Sequence, residues 1–429
     1  MRDLILVGIV VVACLMALKR PWIGVMLWTW LSTMNPHRYT YGFAYDAPLA
    51  AMAVGVTLLG LIFEKEKESP FKGTPVTILV LLMAWITITS VLGFESTYNF
   101  DQWKKIMKID FMILVALALL FSKEHIVWLT AVAAGSIAII GAKGGLFTLA
   151  TAGNYRVWGP PGSFIEDNNE FALAVIMTIP LLRFLQLQFD QRWAKYAMTV
   201  IMTLCVASAL GSHSRGALLA IIAMGSAFWW YDGRRTGILI GMLALGSVAL
   251  LFLPDAWFSR MDTIGDYQND SSAMGRINAW WMAWNLATDR FFGGGFAIYN
   301  REIFAIYAPV PDDVHAAHSI YFQILGEHGF VGLSLFVVLW WLVWHESGKL
   351  RAQGKKLPET LWVSQLGAMC QVSMVGFLVG GAFLSLAYFD LPYNIMVIVV
   401  LGRRWINRKA WLIENEKPTM LNSASPNHA

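Results

Sequence analysis

Three stretches of this chain, 74–93, 236–253 and 361–389, contain no charged residue. A helix crosses a ~30 Å hydrocarbon core with about 17–25 predominantly apolar residues, so each stretch is long enough to span a bilayer. The runs do not alternate between apolar and polar residues, as the strands of a membrane barrel must, so a barrel is excluded. A soluble fold is excluded by the same runs and by charge. Only 14% of the residues are charged, where a soluble domain carries roughly a quarter. The fold class is therefore all-α, a polytopic membrane protein.

Other composition agrees. Twenty tryptophans and twenty methionines are at home at membrane interfaces and in helix packing. The net charge of +4 is small and resides in short loops, so no nucleic-acid partner is implied. Cys14, Cys205 and Cys370 all sit inside apolar runs, as small buried hydrophobes without a disulfide framework. The first run, 4–18, is followed by Lys19-Arg20-Pro21-Trp22 rather than a small-residue cleavage site, so it reads as a membrane segment and not a signal peptide.

Apolar segments at about 4–18, 21–33, 47–63, 74–93, 108–122, 126–141, 169–188, 194–211, 215–231, 236–253, 319–345, 361–386 and 390–403 predict about 12 transmembrane helices. Basic connections near 64–68, 192–195, 232–235, 349–356 and 403–409 alternate with the remaining loops, which makes them cytoplasmic by the positive-inside rule. The loops near 34–46, 94–107, 142–168, 211–215, 254–318 and 387–389 then face outward. Lys104, Lys105 and Lys108 run against this scheme. The connection 254–318 is the one long periplasmic loop. Its four tryptophans, Trp257, Trp280, Trp281 and Trp284, predict a folded segment with short helices, ended by Gly293-Gly294-Gly295. Residues 1–404 form one transmembrane domain that includes this loop, and 405–429 form a cytoplasmic, partly disordered tail. No internal repeat is evident.

The long loop holds Arg260, Arg276, Arg290 and Arg301 and no lysine. Guanidinium forks match phosphate oxygens and stay charged in a partly dry site. Asp262, Asp266 and Asp270 offer a plainer explanation, simple ion pairing. A second element, Gly211-Ser212-His213-Ser214-Arg215-Gly216-Ala217, places an arginine where one span ends and the next begins. At a helix start, Arg215 would join free backbone N–H groups as an anion site, or else simply snorkel to the interface. A third element runs from Asn154 through Arg156 to Ser163, then Glu166-Asp167-Asn168-Asn169-Glu170. It reads as a turn and a helix cap, with more polar groups than one cap requires. That surplus suggests a hydroxyl-rich ligand, with Asn169 among its contacts.

The stretch Asp312-Asp313-Val314-His315-Ala316-Ala317-His318 leads directly into an apolar helix. Three readings are open for its histidines: a metal site, a structural helix-start role, or general-base chemistry near neutral pH. The spacing is not that of a zinc helix and no other Cys/His cluster joins it. His318 opens the span and is the better-placed base. His315, Asp312 and Asp313 fall to acceptor binding or support.

His318-Ser319 followed by Leu325, Glu327, Gly329 and Gly332 resembles the signature H-[NS]-x-x-x-x-x-L-x-E-x-G-x-x-G of the O-antigen ligase and polymerase superfamily. Ser214-Arg215-Gly216-Ala217 is similar to its S-R-G-[AS] element, and Gly275-Arg276 with Trp280 and Trp284 to its loop element. The 156–169 region resembles O-glycosylation ligases associated with exosortase systems. Ser319 stands where asparagine is commoner. The resemblance implies transfer of a glycan from undecaprenyl diphosphate to a sugar hydroxyl on lipid A–core, on a growing polymer or on a protein. The reaction would take place at the periplasmic face of a bacterial inner membrane, with no cofactor and no metal. Arg215 and Arg276, helped by Arg156, Arg260 and Arg290, would bind the diphosphate, and His318 would be the base of an inverting displacement. A lipid-linked glycan flippase is the rival of another class. It would need charge along a path through the membrane, whereas the candidates here cluster on one face.

Overall fold

The computed structural model describes residues 1–231 and 271–414. The apolar run at 236–253, the loop stretch that holds Arg260 and the tail beyond 414 lie outside the described residues. Within them the chain is helical, with no strand. The main helices are α1 (Arg2–Lys19), α2 (Pro21–Met34), α3 (Leu49–Phe63), α4 (Thr74–Leu92), α5 (Ser96–Leu119), α6 (Lys123–Ala150), α7 (Asn168–Gln188), α8 (Arg192–Gly211) and α9 (Arg215–Tyr231). After the undescribed stretch come α10 (Ser271–Asp289), the short α11 (Arg301–Tyr307), α12 (Ile320–Gly354), α13 (Leu361–Gly380), α14 (Asp390–Asn407) and a final turn, α15 (Trp411–Glu414).

Among the described residues six segments are long and apolar enough to cross a membrane: α4, α6, α7, α8, α12 and the stretch Pro358–Phe383 that contains α13. The others fall short for visible reasons. α3 and α9 are apolar but shorter. α1 and α14 carry charges at their ends, and the first half of α5 holds Asp101, Lys104 and Lys105, with Lys108 next. Lys104 is paired there with Asp101 at 2.7 Å.

α7 occupies the centre, with 83% of its apolar window buried, while α8 is 28% buried and lies at the periphery. α6 extends nine residues beyond the apolar run at 126–141, through a stretch that sequence reading places in a loop. Its glycines serve close packing there. A Cβ at Gly145 would fall 2.0 Å from the Leu204 carbonyl oxygen, and one at Gly144 would fall 2.4 Å from Ser208 Oγ. Small residues let membrane helices approach backbone to backbone.

α12 is two helices joined at Gly329, whose backbone (φ 68°, ψ −173°) is not helical. The break is covered by the turn after α10. The Gly294 and Gly295 N–H groups donate to the Gly326 and Glu327 carbonyls at 3.0 and 2.9 Å. Interrupted helices persist at membrane depth only where such partners replace the lost bonds. Side chains pin the same half-helix from the other side. Tyr388 bonds to Glu327, His328 Nε2 lies 2.7 Å from the Tyr388 hydroxyl, and His328 Nδ1 lies 2.6 Å from Thr89 Oγ1. This buried network fixes the segment that begins at Ile320, immediately after the His315–His318 stretch.

Candidate active site

His318 precedes the Ser319 cap of α12. Its backbone is left-handed, with φ 42°, a conformation that costs a non-glycine residue about 1–3 kcal/mol and persists only when the surroundings impose it. α10 supplies that constraint. Trp280 Nε1 donates to the Ala317 carbonyl at 2.7 Å, and the Trp280 ring stacks on Phe322 with centroids 5.0 Å apart. Asn278 Nδ2 donates to the Val310 and Asp313 carbonyls at 2.8 and 2.9 Å, and its Oδ1 accepts from the Val310 N–H at 2.9 Å. The stretch from 310 to 318 is thus strapped along one side of a helix.

His315 lies on that helix at Gly275. A Cβ there would sit 2.6 Å from His315 Nδ1 and 2.8 Å from Cγ and Cε1. The glycine of the Gly275-Arg276 pair is therefore a seat for the imidazole, and it brings His315 beside the half-buried Arg276. Asp313 Oδ1 stands 2.9 Å from His315 Nδ1. Asp312 is exposed.

On its other side His318 faces the start of α7. Its Nδ1 is 3.6 Å from Oε1 of Glu170, whose side chain is 8% exposed against 33% for His318. Asp167 caps α7, accepting from the Asn169 N–H and side-chain amide, each at 2.8 Å. Burial opposes the Asp167 charge. The contact with Glu170, the Asn169 hydrogen bonds and the nearby His318 outweigh it and hold the Asp167 carboxyl below its usual range. Asn169 therefore supports the cap directly.

Arg215 opens α9. Ser214 Oγ accepts from the Ala217 N–H at 3.2 Å, so the serine of the Ser-Arg-Gly-Ala element is a helix cap. Asn168 Nδ2 donates to the Ser212 carbonyl at 2.6 Å, which ties the start of α7 to this turn. A Cβ at Gly216 would lie 3.4 Å from Phe383 Cβ, and one at Gly381 would lie 2.7 Å from Ile320 Cδ1. The 381–383 turn thus connects the start of α9 to the start of α12. Through these contacts Arg215, Glu170 and His318 belong to one end of the bundle, and Arg276 joins them through His315.

Two further arginines lie on other segments. Arg156 is exposed, next to Val157, whose N–H donates to the Gly211 carbonyl at 3.2 Å. Arg290 follows α10, about 21 Å along the helix from Arg276 at 1.5 Å per residue. Its guanidinium donates to the Gly293 and Leu92 carbonyls at 3.3 and 3.1 Å and lies 4.2 Å from the Phe94 ring centroid. Those contacts give it a structural task, bracing the turn that covers the α12 break. Arg260 lies outside the described residues.

Glu170 is the residue that motif reading passed over. The available signal was a carboxylate in the first turn of a largely apolar helix, a position that α7 buries. A cavity of about 330 Å³ lies among Lys72, Arg403, Arg404 and Arg408. Its arginines already serve Glu346, the Lys72, Pro70 and Leu117 carbonyls, and Glu68. Among the described residues no group of three or more His, Cys, Asp or Glu is placed to hold a metal ion.

Residues 198–337 match the family model described as O-antigen ligase, a span that includes all three motifs. Residues 1–191 match a family of unknown function (DUF5935). No curated protein matches the chain. The resemblance to the O-antigen ligase superfamily therefore stands for the segment that carries Arg215, Arg276 and His318, and it is that of a membrane glycosyltransferase-like ligase.

Proposed function

We propose that this protein is a lipid-linked glycan ligase of the inner membrane. It takes a glycan from undecaprenyl diphosphate and joins it to an acceptor sugar hydroxyl, that of lipid A–core, at the periplasmic face. The observation that carries the reading is the convergence of three separate segments on one end of the bundle: the α9 start with Arg215, the α10 start with Arg276, and the α12 start with His318.

In the reaction the bond between the anomeric carbon and the diphosphate oxygen breaks, and its electron pair leaves with the lipid diphosphate. The acceptor oxygen attacks the anomeric carbon from the opposite face, so the configuration inverts. His318 receives the hydroxyl proton. Negative charge grows on the leaving diphosphate, and the guanidinium groups of Arg215 and Arg276 meet it, the task that a metal ion performs in other transferases. Arg156 is assigned to assist, because the neighbouring Val157 is bonded to the Gly211 carbonyl. His315, seated on Gly275 and braced by Asp313, lies on the acceptor side with Asp312.

The test is reconstitution with purified donor lipid and acceptor in the presence of EDTA. Transfer should persist without divalent ions. Arg215→Lys and Arg276→Lys should each lose most of it while staying folded, because lysine keeps the charge but not the fork. Normal transfer by both lysine variants, or an absolute need for one divalent ion, would sink the proposal.

A further inference from the structure

We propose that Glu170 is the positioning residue of His318: its carboxylate fixes the imidazole through Nδ1 and balances the positive charge that the ring acquires when Nε2 takes the acceptor proton. The inference rests on the reading of His318 as the base. It also gives a task to the segment of unknown function, because Glu170 lies in the part matched at 1–191 and His318 in the part matched at 198–337.

Local sequence does not require Glu170 to face His318. Asp167 and Glu170 have the spacing of a capping box, in which the carboxylate would turn back to the N–H of the cap residue. Here Oε1 is directed at His318 Nδ1 instead, at 3.6 Å, and Oε2 is buried without a hydrogen bond. His318 Nδ1 is likewise buried and unbonded. Two buried polar atoms, His318 Nδ1 and Glu170 Oε2, thus lack partners, while Oε1 stands just beyond hydrogen-bond length from the ring.

Leaving both unmet is costly in the resting protein. The cost is relieved when the ring becomes a cation, since a charged donor and a carboxylate form the stronger and shorter kind of bond. An interaction that strengthens as the proton moves favours the transition state over the ground state. With Nδ1 committed to Glu170, Nε2 is the nitrogen left for the acceptor hydroxyl.

The experiment uses the full-length protein in nanodiscs, with the undecaprenyl diphosphate-linked glycan as donor and lipid A–core as acceptor. Glu170→Gln keeps the volume and removes the charge. It should lower kcat by about 10–100-fold, part of the ~10²–10⁴-fold that a positioned base supplies, with both KM values little changed. Glu170→Asp should regain part of that loss, and formate added to Glu170→Ala should restore some turnover. In the His318→Ala background, Glu170→Gln should cost nothing further, because the two residues act as a unit. A Glu170→Gln protein with full kcat overturns the inference. So does a Glu170→Asp protein as slow as the alanine variant with no formate rescue, since Glu170 would then serve only folding; this comparison decides the matter even if Glu170→Gln fails to fold. Full transfer by His318→Ala would instead remove the base assignment itself, a result separate from either of these.

Discussion

Gly275→Ala reports directly on the seat of His315. In the interior of a helix, alanine in place of glycine normally stabilises by about 1 kcal/mol. Here the new methyl group would fall 2.6–2.8 Å from three atoms of the His315 ring. The ring has to move, since the methyl group would meet Nδ1, Cγ and Cε1 together. Overpacking of this kind costs about 1–3 kcal/mol, so the helix gain is cancelled or reversed and the net change is a loss on the order of 1 kcal/mol. The His315 side chain is 42% exposed, so it swings toward solvent and parts from Asp313. The strap from 310 to 318 moves with it, and a misplacement near 1 Å at a reacting group costs about 10²-fold in rate. Thermal unfolding in nanodiscs and transfer should be measured for Gly275→Ala, His315→Ala and the double variant. The sign should reverse: Gly275→Ala lowers the unfolding midpoint in the native background and raises it when His315 is already alanine. Equal destabilisation in both backgrounds would refute the seat.

The other expectations concern the helix break and the sidedness of the bundle. Gly329→Ala places a side chain at φ 68° and only 2.4 Å from the Phe291 carbonyl oxygen. It should cost several kcal/mol on the scale of strained backbone plus overpacking and lower the yield of folded protein; a normal unfolding midpoint would show that the break tolerates a helical residue. A single cysteine at the exposed Asp312 should react with a membrane-impermeant maleimide added from the periplasmic side, whereas one at Lys355 should react only after the inner membrane is opened. The reverse pattern would invert the topology and move the proposed site to the cytoplasm.

Much of this architecture is legible in the residues because the bilayer restricts the choices. Uncharged runs of the required length become α4 and α13, and α10 stops at Asp289, ahead of the glycine triplet at 293–295. Errors arise where tertiary contact overrides local pattern. The end of α6, rich in glycine, looks like a loop, yet close approach to α8 makes it helix. The first half of α5 looks like a loop because it is charged, yet it is helical. At the site, the motifs point to Arg215, Arg276 and His318, because each sits at a segment start with unusual chemistry. Glu170 is hidden because a carboxylate three residues after Asp167 has an ordinary local explanation, a helix cap. Only the tertiary fold, which sets the residue ahead of the α12 cap beside the start of α7, gives it another partner, 148 residues away in the chain. Arg290 is a different case. Its place in a loop without lysine suggests an anion site, while its guanidinium is held by two carbonyls and a ring.

The central claim is that His318 moves a proton and the arginines hold the donor. The most direct measurement compares glycan transfer with binding of the undecaprenyl diphosphate-linked donor in purified His318→Ala. Transfer should fall by about 10²–10⁴-fold, the usual worth of a positioned general base, while donor affinity stays close to that of the native protein. Unchanged transfer, or a loss of transfer matched by an equal loss of donor binding, would contradict the account and return His318 to the binding site or the scaffold.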